Sequence, residues 1–351
     1  MKHLLNCLPH LKDWLDQTGQ PSYRLEQIEN WIFKHRIASF DQMSDLPNEL
    51  RVQLAKSFTL LSTTIVKHST SEDGTEKLLL RLTDDEVIEC VLLRDGLRRS
   101  ICVSSQVGCA MGCVFCASGL DGVMRNLTTG EILEQMLLLQ QLLPAEERLS
   151  HIVMMGMGEP LANLDQVLTT LDRASSPRGL GISPRRITIS TVGLPAALHR
   201  LAKQDCRFNL AISLHAPTDE LRNQLVPVNS KIGIPAIMAA AENYFQVSGR
   251  KLTFEYVMLK DINDGEHHAQ QLAALLRSQT ALLNVIPYNP VAGLPYETPS
   301  EKKIRRFRQI LEQAGIEVKF RRRKGDKINA ACGQLRRQQL VSLTAEDAIR
   351  K

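Results

Sequence analysis

The sequence has no uninterrupted apolar run long enough to cross a bilayer, no low-complexity segment and no obvious short repeat. A membrane-spanning, fibrous or repeat architecture is therefore not expected. The apolar start of the chain is too short for a secretory signal, because Lys12, Asp13 and Asp16 follow closely. We expect a cytoplasmic protein without a membrane partner.

A disulfide-stapled secreted fold is not indicated either. The eight cysteines come without a secretory signal, so a reducing compartment is expected, where thiols serve metals or catalysis. Hydrophobic residues make up 43% and charged residues 23%, which is ordinary for a soluble globular chain. The net charge of +5 permits a polyanionic partner without requiring one.

The most informative stretch is residues 104–116, where Cys109, Cys113 and Cys116 have the spacing Cys-x3-Cys-x2-Cys. Three local thiolates on a four-iron cluster leave one iron without a protein ligand and open to a substrate molecule. A structural zinc site is the alternative, but it needs four ligands, and no histidine follows Cys116 until His151. Three purely structural cysteines are a further alternative. We predict an open [4Fe–4S] cluster.

Residues 1–60 are expected to form short helices, since apolar residues recur there at helical spacing. Aromatic and basic side chains are concentrated in the same part: Trp14, Trp31, Tyr23, Arg24, Lys34, His35 and Arg36. Such a set could stack on and clamp a nucleic acid. A small helical core with a solvated basic face is the more common arrangement.

The rest of the chain predicts an α/β fold. Apolar and polar residues alternate over residues 61–98, which indicates β-strands at 78–82 and 87–93 that form a hairpin extension. Over residues 99–321, six βα units alternate, which is typical of a parallel sheet closed into a barrel or part of one. We predict a partial (βα)6 TIM-like barrel, followed by a C-terminal segment at 322–351.

Chemistry in such folds collects at the carboxyl ends of the strands. The cysteine loop occupies one of those places, and the others hold Gly158, Glu159, Ser190, Ser213, Leu214, His215 and Asn289. Each is a weak signal alone, since a glycine can simply make a turn and His215 can be structural. Together they predict a site. Glu89 lies inside an apolar strand, either on its solvent face, the commoner case, or as an aimed acid or base.

The cysteine signature resembles that of the radical S-adenosylmethionine (SAM) superfamily, in which the open iron binds SAM. Four further motifs, at 102–109, 155–160, 286–290 and 330–335, are similar to those of the RlmN family over essentially the whole chain. That family methylates C2 of adenine in 23S ribosomal RNA and transfer RNA. Its sister family Cfr methylates C8, and the basic Lys-Gly-Asp segment before Ala330 is closer to RlmN.

The resemblance implies a role for each site residue. Cys109, Cys113 and Cys116 would bind one [4Fe–4S] cluster, and SAM would contact Gly158, Glu159, Ser190, Ser213, Leu214, His215 and Asn289. Cys332 would accept a methyl group from one SAM, and a second SAM would supply the radical that activates it. Glu89 would accept the C2 proton. Cys102 would then form a transient disulfide with Cys332 and release the RNA.

The implied partners are 23S ribosomal RNA, transfer RNA and a reductant such as flavodoxin or ferredoxin, with a monomeric enzyme expected. The basic run at 319–324 either contacts phosphates beside the reacting base or is a solvated face. Three alternative functions stay open: C8 methylation, radical SAM chemistry on a peptide or metabolite, and a non-catalytic zinc-dependent RNA-binding module.

Overall fold

The N-terminal part of the computed structural model is helical, as predicted. The structure describes residues 1–120, 122–204, 207–250, 252–291 and 293–321; the predicted C-terminal segment with Cys332 lies outside them. The helices are α1 Leu4–Cys7, α2 Leu11–Gln17, α3 Tyr23–Phe33 and α4 Asn48–Ser57. The short strands β1 Lys2–His3 and β2 Phe58–Thr59 pair in parallel and bring the two ends of this part together.

A ten-stranded mixed sheet forms the centre of the described chain. Its first strands are antiparallel to their neighbours: β3 Thr64–Thr70, β4 Glu76–Arg81 and β5 Val87–Asp95. Strand β6 Arg98–Cys102 is antiparallel to β5 and begins the parallel part. A separate hairpin of β7 Gln106–Gly108 and β8 Val123–Asn126 brackets the cysteine loop.

The parallel part continues from β6 without reversal. Its strands are β9 His151–Met154, β10 Ile187–Thr191, β11 Asn209–Ser213, β12 Leu252–Met258, β13 Ala281–Pro287 and β14 Val318–Phe320. Within the sheet they follow one another in chain order, with β6 beside β9. Strands β6 and β9 to β13 are the strands of the six predicted βα units. Strand β14 is a seventh parallel strand, at the edge of the sheet. The predicted α/β fold is confirmed.

Helices connect the parallel strands: α5 Thr129–Gln141, α6 Leu164–Ser175, α7 Pro195–Lys203, α8 Asp219–Leu225, α9 Ile234–Ser248, α10 Glu266–Leu276 and α11 Glu301–Gln313. Helix α5 begins at a capping box. Thr128 Oγ1 accepts from the Glu131 N–H, and the Glu131 carboxylate accepts from the Thr128 N–H. Within the described residues, no helix meets the length and hydropathy that crossing a membrane requires.

Apart from the short strands β1 and β2 and the 3-10 helices, the elements that were not predicted from the sequence are β3, the β7–β8 hairpin and α8. Strand β3 is exposed along most of its length, so it has no apolar alternation to detect. The hairpin depends on Gly108, whose φ of 77° lets it lie against the Gly122 carbonyl. Helix α8 has only seven residues, most of them polar, so its periodicity is weak.

Two cations of the N-terminal part hold it against the barrel. Arg36 donates to the carbonyls of Leu143 and Pro144, just beyond the end of α5, at 2.9 and 3.0 Å. Lys34 Nζ donates to the Gly179 carbonyl at 2.7 Å. Cations near exposed carbonyls at a helix C-terminus are stabilising. Both side chains are therefore engaged in internal contacts rather than extended as part of a nucleic-acid clamp.

The buried carboxylate of Glu134 on α5 fastens the segment that joins the N-terminal part to β3. It accepts hydrogen bonds from the backbone N–H and the hydroxyl groups of Ser62 and Thr63, at 2.7 to 3.0 Å. It also pairs with His3 at 3.1 Å. Burial raises the pKa of Glu134, but the hydrogen bonds from His3 and Thr63 outweigh burial and hold the pKa below its ordinary value.

Replacing this carboxylate should loosen the N-terminal part. We expect Glu134→Gln to lower the free energy of unfolding by about 2–3 kcal/mol, because the amide NH2 would face N–H donors. Since the Glu134 pKa is depressed, its contribution is present at neutral pH and is lost on acidification. The deficit, measured by urea unfolding, should therefore shrink below about pH 4. The exposed Glu312→Gln serves as control, and an equal deficit there would contradict the assignment.

Candidate active site

The three cysteines lie on a loop above the carboxyl end of β6, held by the β7–β8 hairpin. The Cys109 N–H donates to the Gly122 carbonyl at 2.8 Å, and the Cys116 N–H donates to the Cys113 carbonyl at 3.1 Å. All three thiols are unpaired and partly buried. Around them lies an apolar cluster that includes Phe115. The spacing seen in the sequence thus becomes one compact loop with three thiols.

The thiols of this loop are hard to ionise without a bound cation. Burial raises the pKa of Cys109 to about 12, and the charges of Cys116 and Glu159 add to that effect. Burial and the neighbouring thiols likewise raise the pKa of Cys113, and burial raises that of Cys116. Thiolate ligands are stabilised by the metal they bind, so this donor set fits an iron–sulfur cluster.

The turn after β9 lies directly beside the cysteine loop. Gly158, at φ 101°, has so little space that an added Cβ would lie 2.7 Å from the Gln106 nitrogen. The Gln106 side chain accepts from the Glu159 N–H at 2.8 Å. The buried Glu159 carboxylate accepts from the Leu161 and Val192 N–H groups at 2.9 and 2.8 Å. Its side chain therefore ties this turn to the end of β10.

The end of β11 presents Ser213, Leu214 and His215 on the same edge. The Leu214 and His215 N–H groups both donate to the Glu255 carbonyl, at 3.0 and 3.2 Å, and His215 adopts φ 61°. This bend turns the His215 ring onto Phe115 of the cysteine loop, with ring centroids 4.9 Å apart.

The His215 imidazole is held neutral. Burial lowers its pKa to about 3, with a further contribution from Arg222. Its Nδ1 accepts from the Val257 N–H at 3.1 Å. Strand residue Ser190 and loop residue Asn289 complete the predicted rim, and both are partly exposed. The predicted rim residues therefore follow neighbouring parallel strands and share one edge of the sheet.

Glu89 is not on a solvent face, so the commoner expectation for it was wrong. Its side chain is 2% exposed and pairs with Lys77 Nζ at 2.5 Å, and Lys77 is fully buried. In the strand register Lys77 and Cys102 both lie opposite Val91 of β5, so all of these side chains share one face.

Glu89 lies close to the segment that joins Cys102 to the cysteine loop, because its carbonyl accepts from the Ser104 hydroxyl at 2.6 Å. Its negative charge acts on the Cys102 thiol and also on the Cys116 thiol of the metal-binding loop. Burial raises the pKa of Cys102 to about 11, and Arg321 and Lys77 oppose the increase. Lys77 was missed in the sequence, because it stands beside Glu76 at the start of β4, before the apolar run at 78–80 rather than within it.

One residue in the described part of the basic run, Arg321, approaches a buried carboxylate. Arg321 lies 3.8 Å from the buried carboxylate of Glu255, and Asn284 donates to the same carboxylate at 3.0 Å. Lys319 is exposed on β14. Residues 322–324 and Cys332 lie outside the described residues, so their predicted roles stay predictions.

This barrel, with three cysteines on the loop after its first parallel strand, is that of a radical SAM enzyme. Residues 103–273 match the radical SAM superfamily. The structure superimposes on that of a radical SAM methyltransferase from Sphaerobacter thermophilus with a TM-score of 0.92 and 41% sequence identity. The match covers 95% of this chain and 99% of that chain.

Two further comparisons define the family. Residues 4–60 match the N-terminal domain of ribosomal RNA large subunit methyltransferases. A probable dual-specificity RNA methyltransferase RlmN from Rhodopirellula baltica is 67% identical over 95% of this chain and 91% of that relative. A second relative of the same name, from Symbiobacterium thermophilum, is 44% identical over 94% of this chain and 89% of the relative's length. The chain belongs to the RlmN family of radical SAM RNA methyltransferases.

The Lys77–Glu89 pair makes a testable contribution to stability. We expect Lys77→Met to lower the free energy of unfolding by about 3–5 kcal/mol, because it leaves a buried carboxylate without its cation. Adding Glu89→Leu should recover most of that loss, since both charges are then gone. Lys67→Met on the exposed face of β3 is the control. A double variant no more stable than Lys77→Met alone, measured by urea unfolding, would refute the pairing.

Proposed function

We propose that this enzyme methylates C2 of an adenine in 23S ribosomal RNA and in transfer RNA, through a methylated Cys332 and two molecules of SAM. The observation that carries the proposal is the buried position of Glu89. Its carbonyl accepts from the Ser104 hydroxyl at 2.6 Å, on the segment that leads from Cys102 to the cysteine loop, and its charge acts on the Cys102 and Cys116 thiols. A buried carboxylate whose charge acts on two separate thiol sites suits a group that accepts a proton during transfer. The relatives named as dual-specificity RNA methyltransferases support the choice of substrates.

The cofactor-binding assignment is the one that the family resemblance implies, and the shared edge of the sheet supports it. Cys109, Cys113 and Cys116 would hold three irons of one [4Fe–4S] cluster, and the rim residues of β9, β10, β11 and β13 would hold SAM: Gly158, Glu159, Ser190, Ser213, Leu214, His215 and Asn289. When bound, the cluster and SAM supply a carbon radical, which can attack a ring carbon that is not a nucleophile. His215, neutral throughout the physiological range, packs against the loop without adding charge.

The protein's own residues carry the methyl group and the proton. The Cys332 thiolate attacks the methyl carbon of one SAM, which forms a thioether and releases S-adenosylhomocysteine. Loss of one hydrogen atom from this methyl group to the SAM-derived radical would let its carbon bond to C2. The ring then regains its aromaticity by losing one electron, which the oxidised cluster would take, and the C2 proton, which Glu89 accepts. The Cys102 thiolate then attacks the Cys332 sulfur. A disulfide forms, the sulfur–carbon bond breaks, the carbon takes a proton, and an external thiol later reduces the disulfide.

The remaining partners belong to the same proposal. A low-potential electron-transfer protein such as flavodoxin or ferredoxin would reduce the cluster before each radical step. The enzyme would act as a monomer in the cytoplasm. Methylation at C8, the reaction of the sister family, would need the same cysteines and would differ in the product alone, so product analysis separates the two.

Loss of one loop thiol should remove the cluster. Purified without oxygen, the unaltered enzyme and Cys7→Ala should each contain about four irons per chain. Cys116→Ala should lose the visible absorbance and most of that iron, because a cluster held by three thiolates has none to spare. Iron analysis with folding checked by circular dichroism makes the measurement. Full iron in Cys116→Ala, or zinc in place of iron in the unaltered enzyme, would refute the cluster assignment.

Replacing Cys332 and replacing Cys102 should block the reaction at different steps. Cys332→Ala should form no methylated RNA while still cleaving SAM, because the methyl acceptor is gone. Cys102→Ala should trap RNA on the enzyme as a slow band on a denaturing gel, because nothing releases the thioether. Chromatography of digested RNA from the unaltered enzyme should show 2-methyladenosine. Methylated product from Cys332→Ala, or multiple turnovers by Cys102→Ala, would contradict these roles, and 8-methyladenosine would reassign the position.

A further inference from the structure

Arg222 is the largest side chain that is fully buried in the described part of the chain. It lies on α8, the short helix between β11 and the 3-10 helix Pro227–Lys231. A fully buried arginine is rare unless a negative group compensates its charge. The proposed catalytic steps do not use it, so its presence calls for a separate explanation.

Each nitrogen of the Arg222 guanidinium donates a hydrogen bond, and all of the acceptors are neutral. Nε donates to the Leu214 carbonyl at 2.9 Å. Nη2 donates to the carbonyls of Val192 and Ser213 at 2.7 and 2.8 Å, and Nη1 donates to Asn229 Oδ1 at 2.5 Å. The side chain therefore joins the carboxyl ends of β10 and β11, where the candidate SAM site lies. These four hydrogen bonds engage all three nitrogens of the side chain without cancelling its charge.

Asp219 is the acidic residue linked to Arg222, and the link runs through Asn229. Asp219 Oδ1 accepts from Asn229 Nδ2 at 2.8 Å and from the Ile234 N–H at 2.7 Å, so Asn229 stands between the two charges. Burial lowers the pKa of Arg222 to about 10, and the charges of Cys113 and Asp219 oppose that decrease.

Helix α8 is the support on which the cysteine loop rests. The Val114 N–H, between Cys113 and Cys116 in the chain, donates to the Leu225 carbonyl at 3.1 Å. Pro227 packs against Gly112, within 3.7 Å of the position that a Cβ would take. Arg222 is one helical turn before Leu225. Its charge is thus fixed by the same short helix that fixes the loop.

We propose that Arg222 is the buried counter-charge of the iron–sulfur cluster and raises its reduction potential. The inference rests on the proposed function, which places the cluster on Cys109, Cys113 and Cys116. A [4Fe–4S] core with three thiolates carries net negative charge, and one-electron reduction adds another negative charge. A nearby fixed cation in a medium of low dielectric stabilises the reduced form more than the oxidised form.

Two substitutions at this position separate charge from packing. Arg222→Met removes the charge and keeps an extended apolar stem, whereas Arg222→Lys keeps the charge and loses the planar fork. In a redox titration followed by electron paramagnetic resonance, we expect Arg222→Met to lower the ratio of reduced to oxidised cluster about tenfold at a fixed potential. That change corresponds to about 59 mV for a one-electron couple. Arg222→Lys should change the ratio by less than about threefold.

Asp219→Asn gives an independent test with the opposite sign. It removes a negative charge but leaves an oxygen that can accept from Asn229 and Ile234, so we expect the reduced fraction to rise. If Arg222→Met does not retain iron, the reduced fraction measured in Asp219→Asn is the deciding result. Wild-type potentials in iron-loaded variants, or a fall in Asp219→Asn, would overturn the inference. An unaltered enzyme that binds no cluster would instead overturn the proposed function.

Discussion

The parallel register of β6 and β9 to β13 is the constraint on which the site depends. Because these strands run in one direction, their carboxyl ends meet at one edge, and each following loop brings its polar residue there. Strand β6 is also where the parallel part joins the antiparallel strands β3 to β5. The cysteine loop that follows β6 therefore lies next to Glu89, which comes from the antiparallel side.

Buried charge is the second feature that the site and the fold share. Lys77 and Glu89 neutralise each other inside the sheet, whereas Arg222 is surrounded by neutral oxygens and is linked to Asp219 only through Asn229. Groups of this kind cost stability when their partners are missing. Their grouping around thiols whose pKa values are raised by burial indicates a site organised around a charged cofactor.

The α/β alternation was predictable because each parallel strand is a short apolar run and each helix is amphipathic. The six βα units predicted over residues 99–321 are present, and the strands predicted at 78–82 and 87–93 are present as Glu76–Arg81 and Val87–Asp95. The burial of Glu89 was not predictable in this way. Its partner Lys77 lies on the neighbouring strand, and periodicity along one strand carries no information about cross-strand pairs. Arg222 was missed because α8 itself has too few apolar residues to be recognised.

The central claim is that Cys332 carries the methyl group between SAM and RNA. The direct measurement is peptide mass spectrometry of the anaerobically purified enzyme after incubation with SAM bearing a deuterated methyl group and no RNA. One labelled methyl on the Cys332 sulfur, transferred to adenine when RNA and reductant are added, is the predicted result. An unmodified Cys332 in a preparation that methylates RNA would contradict the account.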